Sequence, residues 1–324
     1  MGLKFIATGA GLPEKVLTNA DLEKIVATTD QWITERTGIK ERRVAAADQA
    51  TSDLSVLAAR QALESAKWTA EDLDLIVVAT CTPDHLFPST ACLVQKALGA
   101  SKAAAFDVSA ACSGFMFGLT AVAGMMEAGV ARRALVIGAD TLTRFTDWKD
   151  RGTCVLFGDG AGALLVEKTA GPGGLLSVHL GSDGALSGVL TIPGGGSRFP
   201  LGSNDSQHPP YIHMEGKEVF KYAVLRMIEA AEAALKKAGL KPNDLALFIP
   251  HQANLRIIDA IAKRMDIENK KVFRNVHKFG NMSAATTIVA LDEAVRGGLV
   301  KRGDLVELVA FGAGLTWGAA VLRW

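Results

Sequence analysis

Two stretches of this chain repeat each other at a spacing of 169 residues, and that repeat limits the possible folds more than any other feature. Placing Cys112 opposite Asn281 brings Gly129 onto Gly298 and Arg133 onto Arg302. Each stretch reads as a turn of small residues, an apolar helix, a glycine stop, a basic pair and a buried strand. Upstream, DLDLIVVATC ending at Cys81 matches NDLALFIPH ending at His251 at an offset of 170. A unit that recurs in this way predicts two similar halves packed as mates. The KTAGPGG segment breaks the pattern, which divides the chain into residues 1–172 and 173–324.

Between these landmarks β-rich runs alternate with helical patterns, which predicts an α/β architecture. Strands are expected at Leu75–Ala79, Ala103–Val108, Leu135–Gly138, Ala163–Val166, Leu245–Ile249, Leu305–Phe311 and Ala319–Leu322, with a further strand at the N-terminus. Helices are expected at Ser52–Ser65, Ser89–Leu98, Ser113–Ala128, Glu218–Ala238, Leu255–Met265 and Ser283–Arg296. If the halves are pseudo-symmetric, their equivalent turns meet near the centre. Cys112 and Asn281 then lie on paired helix N-termini, with His251 on a neighbouring strand end, in the crevice where α/β proteins place their sites.

Charge excludes some partners. Lys plus Arg number 35 against 34 Asp plus Glu, a net charge of +1, so neither nucleic acid nor an anionic membrane is expected as the main partner. The longest apolar runs, such as Ala134–Ala139, are far too short to span a bilayer. The four cysteines (Cys81, Cys92, Cys112, Cys154) show neither CxxC spacing nor a compact framework, which suits a reduced, cytoplasmic setting and no metal. The GDGAG run at Gly158–Gly162 leads into a strand and lacks the lysine of a phosphate-cradling loop.

Cys112, in DVSAACSGFMFGL, sits between a strand and an apolar helix among residues small enough for a tight turn. Backbone N–H groups at a helix start favour thiolate over thiol and can hydrogen-bond a developing oxyanion. The alternative is an inert core cysteine, the ordinary fate of a free thiol and the reading that suits Cys92 and Cys154. His251 follows LALFIP and precedes QANLRIIDAIAKRM, a corner that aims the imidazole out of the sheet; a capping or solvent-facing histidine is its alternative. Asn281 would offer an uncharged amide donor, or simply cap a helix.

Taken together, these segments resemble β-ketoacyl-acyl-carrier-protein synthase III, a thiolase-fold condensing enzyme family. The likeness runs nearly end to end, through WITERTGI at Trp32–Ile39, DVSAACSGF, CVLFGDGAGA, PHQANLRI, GNMSAAT and FGAGLTWGAA. The resemblance implies a thiolase-like fold in layered αβαβα arrangement, and a homodimer. It implies that Cys112 takes an acyl group, typically acetyl, from a coenzyme A thioester, a substrate rather than a cofactor. Malonyl-acyl carrier protein then loses CO2 while His251 and Asn281 hold its thioester oxygen. Backbone N–H groups of Cys112 and Ala313 would form the oxyanion hole. Trp32 and Arg151 would sandwich the coenzyme A adenine, with Arg36, Thr37 and Asn254 near the same ligand. Gln252, Ala253, Asn254, Leu255, Arg256 and Lys221 would receive the acidic carrier protein. Phe87 would bound the acyl pocket of a second copy.

Rival readings fit less well. Type III polyketide synthases pair the same three residue types on longer chains. Thiolase is expected to show a second reactive cysteine near its C-terminus, yet none follows Cys154. A 3-hydroxy-3-methylglutaryl-CoA synthase would need a glutamate near Cys81. A non-catalytic acyl-CoA or carrier-protein binder would not need the three residues intact, and a papain-like order does not match.

Overall fold

A computed structural model describes residues 2–171, 173–200 and 207–324. In chain order the first part comprises β1 (Leu3–Gly11), β2 (Val16–Thr18), α1 (Asn19–Leu22), α2 (Asp30–Thr37), β3 (Glu41–Arg43), α3 (Thr51–Ala66), β4 (Leu75–Ala79), α4 (Thr90–Leu98), β5 (Ala104–Val108), α5 (Gly114–Glu127), β6 (Arg133–Thr141) and β7 (Asp159–Lys168). The second comprises β8 (Leu175–Ser182), β9 (Leu190–Thr191), β10 (His213–Met214), α6 (Gly216–Ala238), β11 (Leu247–Pro250), α7 (Leu255–Arg264), α8 (Val276–Phe279), α9 (Ala285–Arg296), β12 (Leu305–Gly312) and β13 (Thr316–Arg323). Pro172, where the sequence break was expected, lies outside the described residues.

Strand order carries the repeat into three dimensions. The first sheet runs β1-β7-β6-β4-β5 and the second β8-β13-β12-β11 when read from the corresponding edge. β4 and β6 are parallel, as are β11 and β12, and each pair continues into antiparallel partners. The counterpart of β5 shrinks to a single parallel bridge between Phe248 and Val272. Gly129 and Gly298 both adopt left-handed conformations, φ +81° and +71°, just past the helices they stop. The matched arginines do different work. Arg133 pairs with Glu167 and Asp72, whereas Arg302 donates to the carbonyls of Phe5 and Ile6.

Period-two alternation builds the layers. Leu75, Val77, Val136, Leu164 and Val166 of the first sheet, with Val306, Leu308 and Ala310 of the second, face one central core. Ile76, Val78, Leu135 and Ile137 turn the opposite way into a core beneath α3 and α4. Phe248, Val309, Phe311, Ala319 and Val321 turn toward α6 and α7. Helices α5 and α9 each contact strands of both sheets, so they form the middle layer. The result is the thiolase-like αβαβα stack. Glycines set how closely its halves meet. A Cβ on Gly138 of β6 would lie 2.3 Å from the Ala284 carbonyl oxygen, and one on Gly312 of β12 would lie 2.6 Å from the Cys112 nitrogen. Each half thus leaves room for the other half's turn.

One residue in this core defies its surroundings. Glu307, in the middle of β12, is fully buried, and among the described residues neither carboxylate oxygen has a hydrogen-bond partner. Burial pushes its carboxyl well above the usual range, so the folded chain holds it protonated. The unfolded chain releases that proton above about pH 4.5, so stability falls as pH rises through and beyond that point. Glu307→Leu should therefore raise the unfolding midpoint, with a gain of about 1–3 kcal/mol at neutral pH from removing unsatisfied buried oxygens. Denaturant titrations at pH 5 and pH 8 check it; a gain that does not grow with pH would contradict the assignment.

Candidate active site

Cys112 lies in a 3₁₀ turn, Ala111–Ser113, that feeds directly into α5. The turn is held by Ser113 Oγ, which donates to the Ala110 carbonyl at 2.9 Å, and by Thr316 Oγ1 from β13, which reaches the same carbonyl at 3.1 Å. Ala111 takes φ +44°, a left-handed conformation costing a residue with a Cβ about 1–2 kcal/mol. In the matching turn of the second half Ser283 takes φ +49°. Strain in both turns is concentrated where the two halves meet, as it often is at functional sites.

Asn281 sits four residues before α9, whose N-cap is Ala284, so it does not cap the helix. Its Oδ1 accepts from the Ser283 backbone N–H at 2.9 Å, which fixes the amide orientation and leaves Nδ2 as a donor toward Cys112. The backbone of Asn281 is clamped on both sides: its N–H donates to Leu156 O at 2.9 Å and its carbonyl accepts from Gly158 N–H at 3.0 Å. Behind that clamp lies Arg42, fully buried, whose guanidinium donates to Val155 O, Leu17 O and Asn19 Oδ1. A Cβ on Gly158 would meet the Phe279 carbonyl oxygen at 2.6 Å, which explains the glycine in CVLFGDGAGA.

His251 follows β11, its backbone N–H donating to Val309 O at 2.8 Å. The imidazole is buried, with Nδ1 2.5 Å from Thr286 Oγ1. Desolvation lowers its pKa to about 3, so the ring is neutral at any ordinary pH. A neutral imidazole and a neutral amide therefore line one cavity with Cys112, the amide hydrogen-bonding its sulfur.

The sulfur itself departs from the sequence expectation. Burial pushes the Cys112 thiol up to about 12, and the buried Asp140 carboxylate pushes the same way; hydrogen bonds from Ser283, its own backbone N–H and Asn281 only partly offset them. Cys112 thus stands as a thiol, not the pre-ionised thiolate predicted from the helix start. Desolvation, invisible in the sequence, outweighs the helix-terminal N–H groups.

Two cavities meet at Cys112. One of about 450 Å³ is lined by Cys81, Leu142, Phe157, Leu190, Ile192 and Ile212, along with the Cys112 turn, Ser283 and Ala313. The other, about 100 Å³, is lined by Cys112, His251 and Asn281 together with Ala253, Asn254, Phe220 and Ile257. The first is an apolar chamber beyond the sulfur. The second leads past both neutral donors to α6 and α7.

Other expected residues fall in varied places. The Trp32 indole is half-buried, with the Arg151 and Arg36 guanidinium carbons 4.6 and 4.8 Å from its centroid. Thr37 is buried, its hydroxyl donating to Ile33 O and accepting from Ile39 N–H, which leaves it a role in ending α2. Asn254 caps α7 and donates to Arg36 O, joining α7 to α2. Lys221 and Arg256 are exposed, Arg256 lying over Phe220, whereas Leu255 packs beside Gly38. Gln252 is a correction. Expected on a docking face, it is 1% exposed, and its amide is spent on Pro250 O, Phe273 O and the N–H groups of Asn275 and Val276. Phe87 is 86% exposed and lines neither cavity of its own chain.

Sequence reasoning missed four supports: Asp140, Arg42, Ser283 and Thr286. Asp140 Oδ1 accepts from Thr80 Oγ1, Cys81 N–H, Thr82 N–H and Thr82 Oγ1 at 2.8–3.1 Å, while Oδ2 takes the Ala284 N–H at 3.3 Å. It thereby joins the end of β4 to the start of α9. The available signal was an acid ending an otherwise apolar strand, LVIGAD. Among the described residues no group of three or more His, Cys, Asp or Glu side chains is placed to hold a metal ion, and no helix is long and apolar enough to cross a membrane.

Comparison with known proteins identifies the family. Residues 106–184 match the family described as 3-oxoacyl-[acyl-carrier-protein] synthase III, and residues 235–324 its C-terminal part. The chain is 54% identical over 320 residues to a β-ketoacyl-[acyl-carrier-protein] synthase III of Caldanaerobacter subterraneus, covering 98% of this chain and 97% of that one. It superimposes on the crystal structure of 3-oxoacyl-[acyl-carrier-protein] synthase III from Aquifex aeolicus with TM-score 0.93, 49% identity and full coverage of both chains. The priming β-ketosynthase of the R1128 polyketide pathway is similar at 36% identity and TM-score 0.93, covering 99% and 95%.

Proposed function

The chain belongs to the 3-oxoacyl-[acyl-carrier-protein] synthase III family, and on that premise we propose how its own residues carry out the condensation. It condenses an acyl-coenzyme A with malonyl-acyl carrier protein to start fatty-acid synthesis. The observation that carries the residue assignment is that Cys112, His251 and Asn281 line one narrow cavity which meets an apolar chamber at the sulfur. The chamber suits an acyl chain; the narrow cavity suits the thioester arm that delivers it.

In the first half-reaction the Cys112 thiol gives its proton to His251 Nε2 as sulfur attacks the thioester carbon. The new C–S bond forms and the acyl–coenzyme A C–S bond breaks. The departing sulfur takes the proton back from Nε2. Backbone N–H groups of Cys112 and Ala313 hold the oxyanion. In the second half-reaction malonyl-acyl carrier protein loses CO2, and its thioester oxygen, now enolate-like, is held by Asn281 Nδ2 and His251 Nε2–H. The carbanion attacks the acyl carbon and the Cys112 sulfur leaves, regaining a proton from solvent. Neutral donors suit this step, because loss of CO2 supplies the electron pair without a strong base.

Outside the cavity, Trp32 and Arg151 would receive the coenzyme A adenine, Arg151 lifting from the indole to admit the base. Ala253 and Asn254 line the narrow cavity, and with Leu255 and the exposed Arg256 and Lys221 they would receive the carrier, the last two supplying charge for an acidic partner. The reading extends to a cytoplasmic homodimer of two-half chains, divided at 172/173, and is supported by the four unpaired cysteines and the exposed Leu86–Phe87 pair. Intact-mass analysis after mixing with acetyl-coenzyme A, then with malonyl-carrier protein, tests it. One acyl adduct per chain should form and then discharge with release of CO2. An adduct that malonyl-carrier protein fails to discharge would refute the condensing role.

A further inference from the structure

The two N–H groups assigned to the oxyanion come from different halves of the chain. Cys112 lies in the turn before α5, and Ala313 in the loop between the paired residues Gly312 of β12 and Thr316 of β13. Both line the same chamber. Two donors serve one oxygen when each lies about 2.7–3.1 Å from it, so the placement of one turn against the other matters to a fraction of an ångström. Among the described residues no backbone–backbone hydrogen bond joins residues 109–114 to residues 312–316. Gly312 lies close against the Cys112 nitrogen, but such packing lacks the directionality of a hydrogen bond. What joins the two turns is a pair of hydroxyls. Thr316 Oγ1 lies 2.9 Å from the Ala313 carbonyl oxygen, 3.1 Å from that of Ala110 and 2.8 Å from Ser113 Oγ. Ser113, the residue after Cys112, is buried, and its hydroxyl also lies 2.9 Å from the Ala110 carbonyl oxygen. With Ser113 donating to Thr316 and Thr316 donating to the Ala313 carbonyl, both hydroxyl protons are used. That chain runs unbroken from the turn of the nucleophile to the residue that supplies the second N–H.

We propose that Thr316 is a positioning residue whose hydroxyl staples the two halves of the oxyanion hole, setting the Ala313 N–H against that of Cys112. The inference rests on the oxyanion roles given to those two residues above. The Ala313 carbonyl and N–H belong to planar peptides that share one Cα, so holding the first limits rotation of the second. A residue without a hydroxyl at position 316 would leave the two turns in contact but not in register.

The test compares Thr316→Val, which keeps the shape and loses the hydroxyl, with Thr316→Ser, which keeps the hydroxyl; Thr316→Ala replaces valine if that variant fails to fold. Rapid-quench mass spectrometry measures acetylation of Cys112 by acetyl-coenzyme A. Alkylation by iodoacetamide measures the sulfur alone: it attacks a saturated carbon, iodide leaves, the thiol proton passes to buffer, and no oxyanion forms. The infrared carbonyl band of the ¹³C-acetyl enzyme reads the donors directly, because hydrogen bonding lowers its frequency. Valine should slow acetylation by about tenfold, the scale of one lost hydrogen bond, and leave alkylation within about twofold of wild type. Its carbonyl band should rise in frequency, and serine should match wild type in all three measurements. Equal acetylation by valine and wild type would overturn the role of Thr316, as would a serine variant as slow as valine. So would acetylation and alkylation slowed to the same extent, the mark of a turn that has merely lost its shape. Absence of an acyl-Cys112 adduct in wild type would instead refute the reading of the site beneath it.

Discussion

Cys112→Ser should yield no acyl adduct after exposure to acetyl-coenzyme A, and turnover should fall by roughly 10³-fold or more, as expected when a covalent nucleophile is lost. The serine hydroxyl would occupy the same turn, receive the same donors and meet the same imidazole, yet it is a far weaker nucleophile toward a thioester. Peptide mapping after acylation makes the result specific. Cys81 lines the same chamber, with its Sγ 3.8 Å from Ser283 Oγ, but it donates to the Asp140 carboxylate and burial holds it as a thiol. An adduct that persists in Cys112→Ser and maps to Cys81 would reassign the nucleophile.

His251→Ala should slow acylation and reduce condensation by roughly 10²–10⁴-fold, the usual worth of a placed proton-transfer or hydrogen-bonding group. Acylation declines because a thiol raised to about 12 needs a base, and condensation because Asn281 alone remains to hold the enolate oxygen. The pH dependence carries a second signature. With His251 lowered to about 3, wild-type activity should show no acid limb near the ordinary imidazole value of about 6.5. Stability should behave differently. The unfolded chain protonates this histidine below about 6.5 while the fold resists until near 3, so its contribution is complete above about 6.5 and lost as pH falls toward 3. Unfolding midpoints of wild type and His251→Ala should therefore converge in acid. A wild-type activity profile with an inflection near 6.5 that vanishes in the variant would contradict the buried neutral ring.

Much of this architecture was legible in the sequence because it is written in short-range periodicity. The expected helix Ser113–Ala128 is found at Gly114–Glu127, and the expected strand Leu305–Phe311 at Leu305–Gly312. What escaped was short or one-sided. β8 mixes serine, histidine and glycine in LLSVHLGS as an edge strand, and α2, reading DQWITERT, has little apolar stripe to betray it. At the site, Cys112, His251 and Asn281 were readable as residues at element corners, with the repeat pairing two of them. Their supports were not, because Arg42 to Val155 and Asp140 to Ala284 span 113 and 144 residues. The charge state of Cys112 was misjudged for the same reason. Dipoles are local and could be inferred, whereas the depth of burial depends on everything packed around the sulfur.

The glycine at position 312 has a consequence for how the chain acquires reactivity as it is made. Cys112 is synthesised 200 residues before the strand that closes over its backbone nitrogen, and 139 and 169 residues before His251 and Asn281, which line a cavity with it. A ribosome-bound fragment that ends before them therefore displays an ordinary thiol, without the groups to which the proposed mechanism assigns proton transfer and oxyanion binding. The turn around Cys112 closes only when β12 docks, so on the proposed mechanism thioester consumption waits until Gly312 has been made.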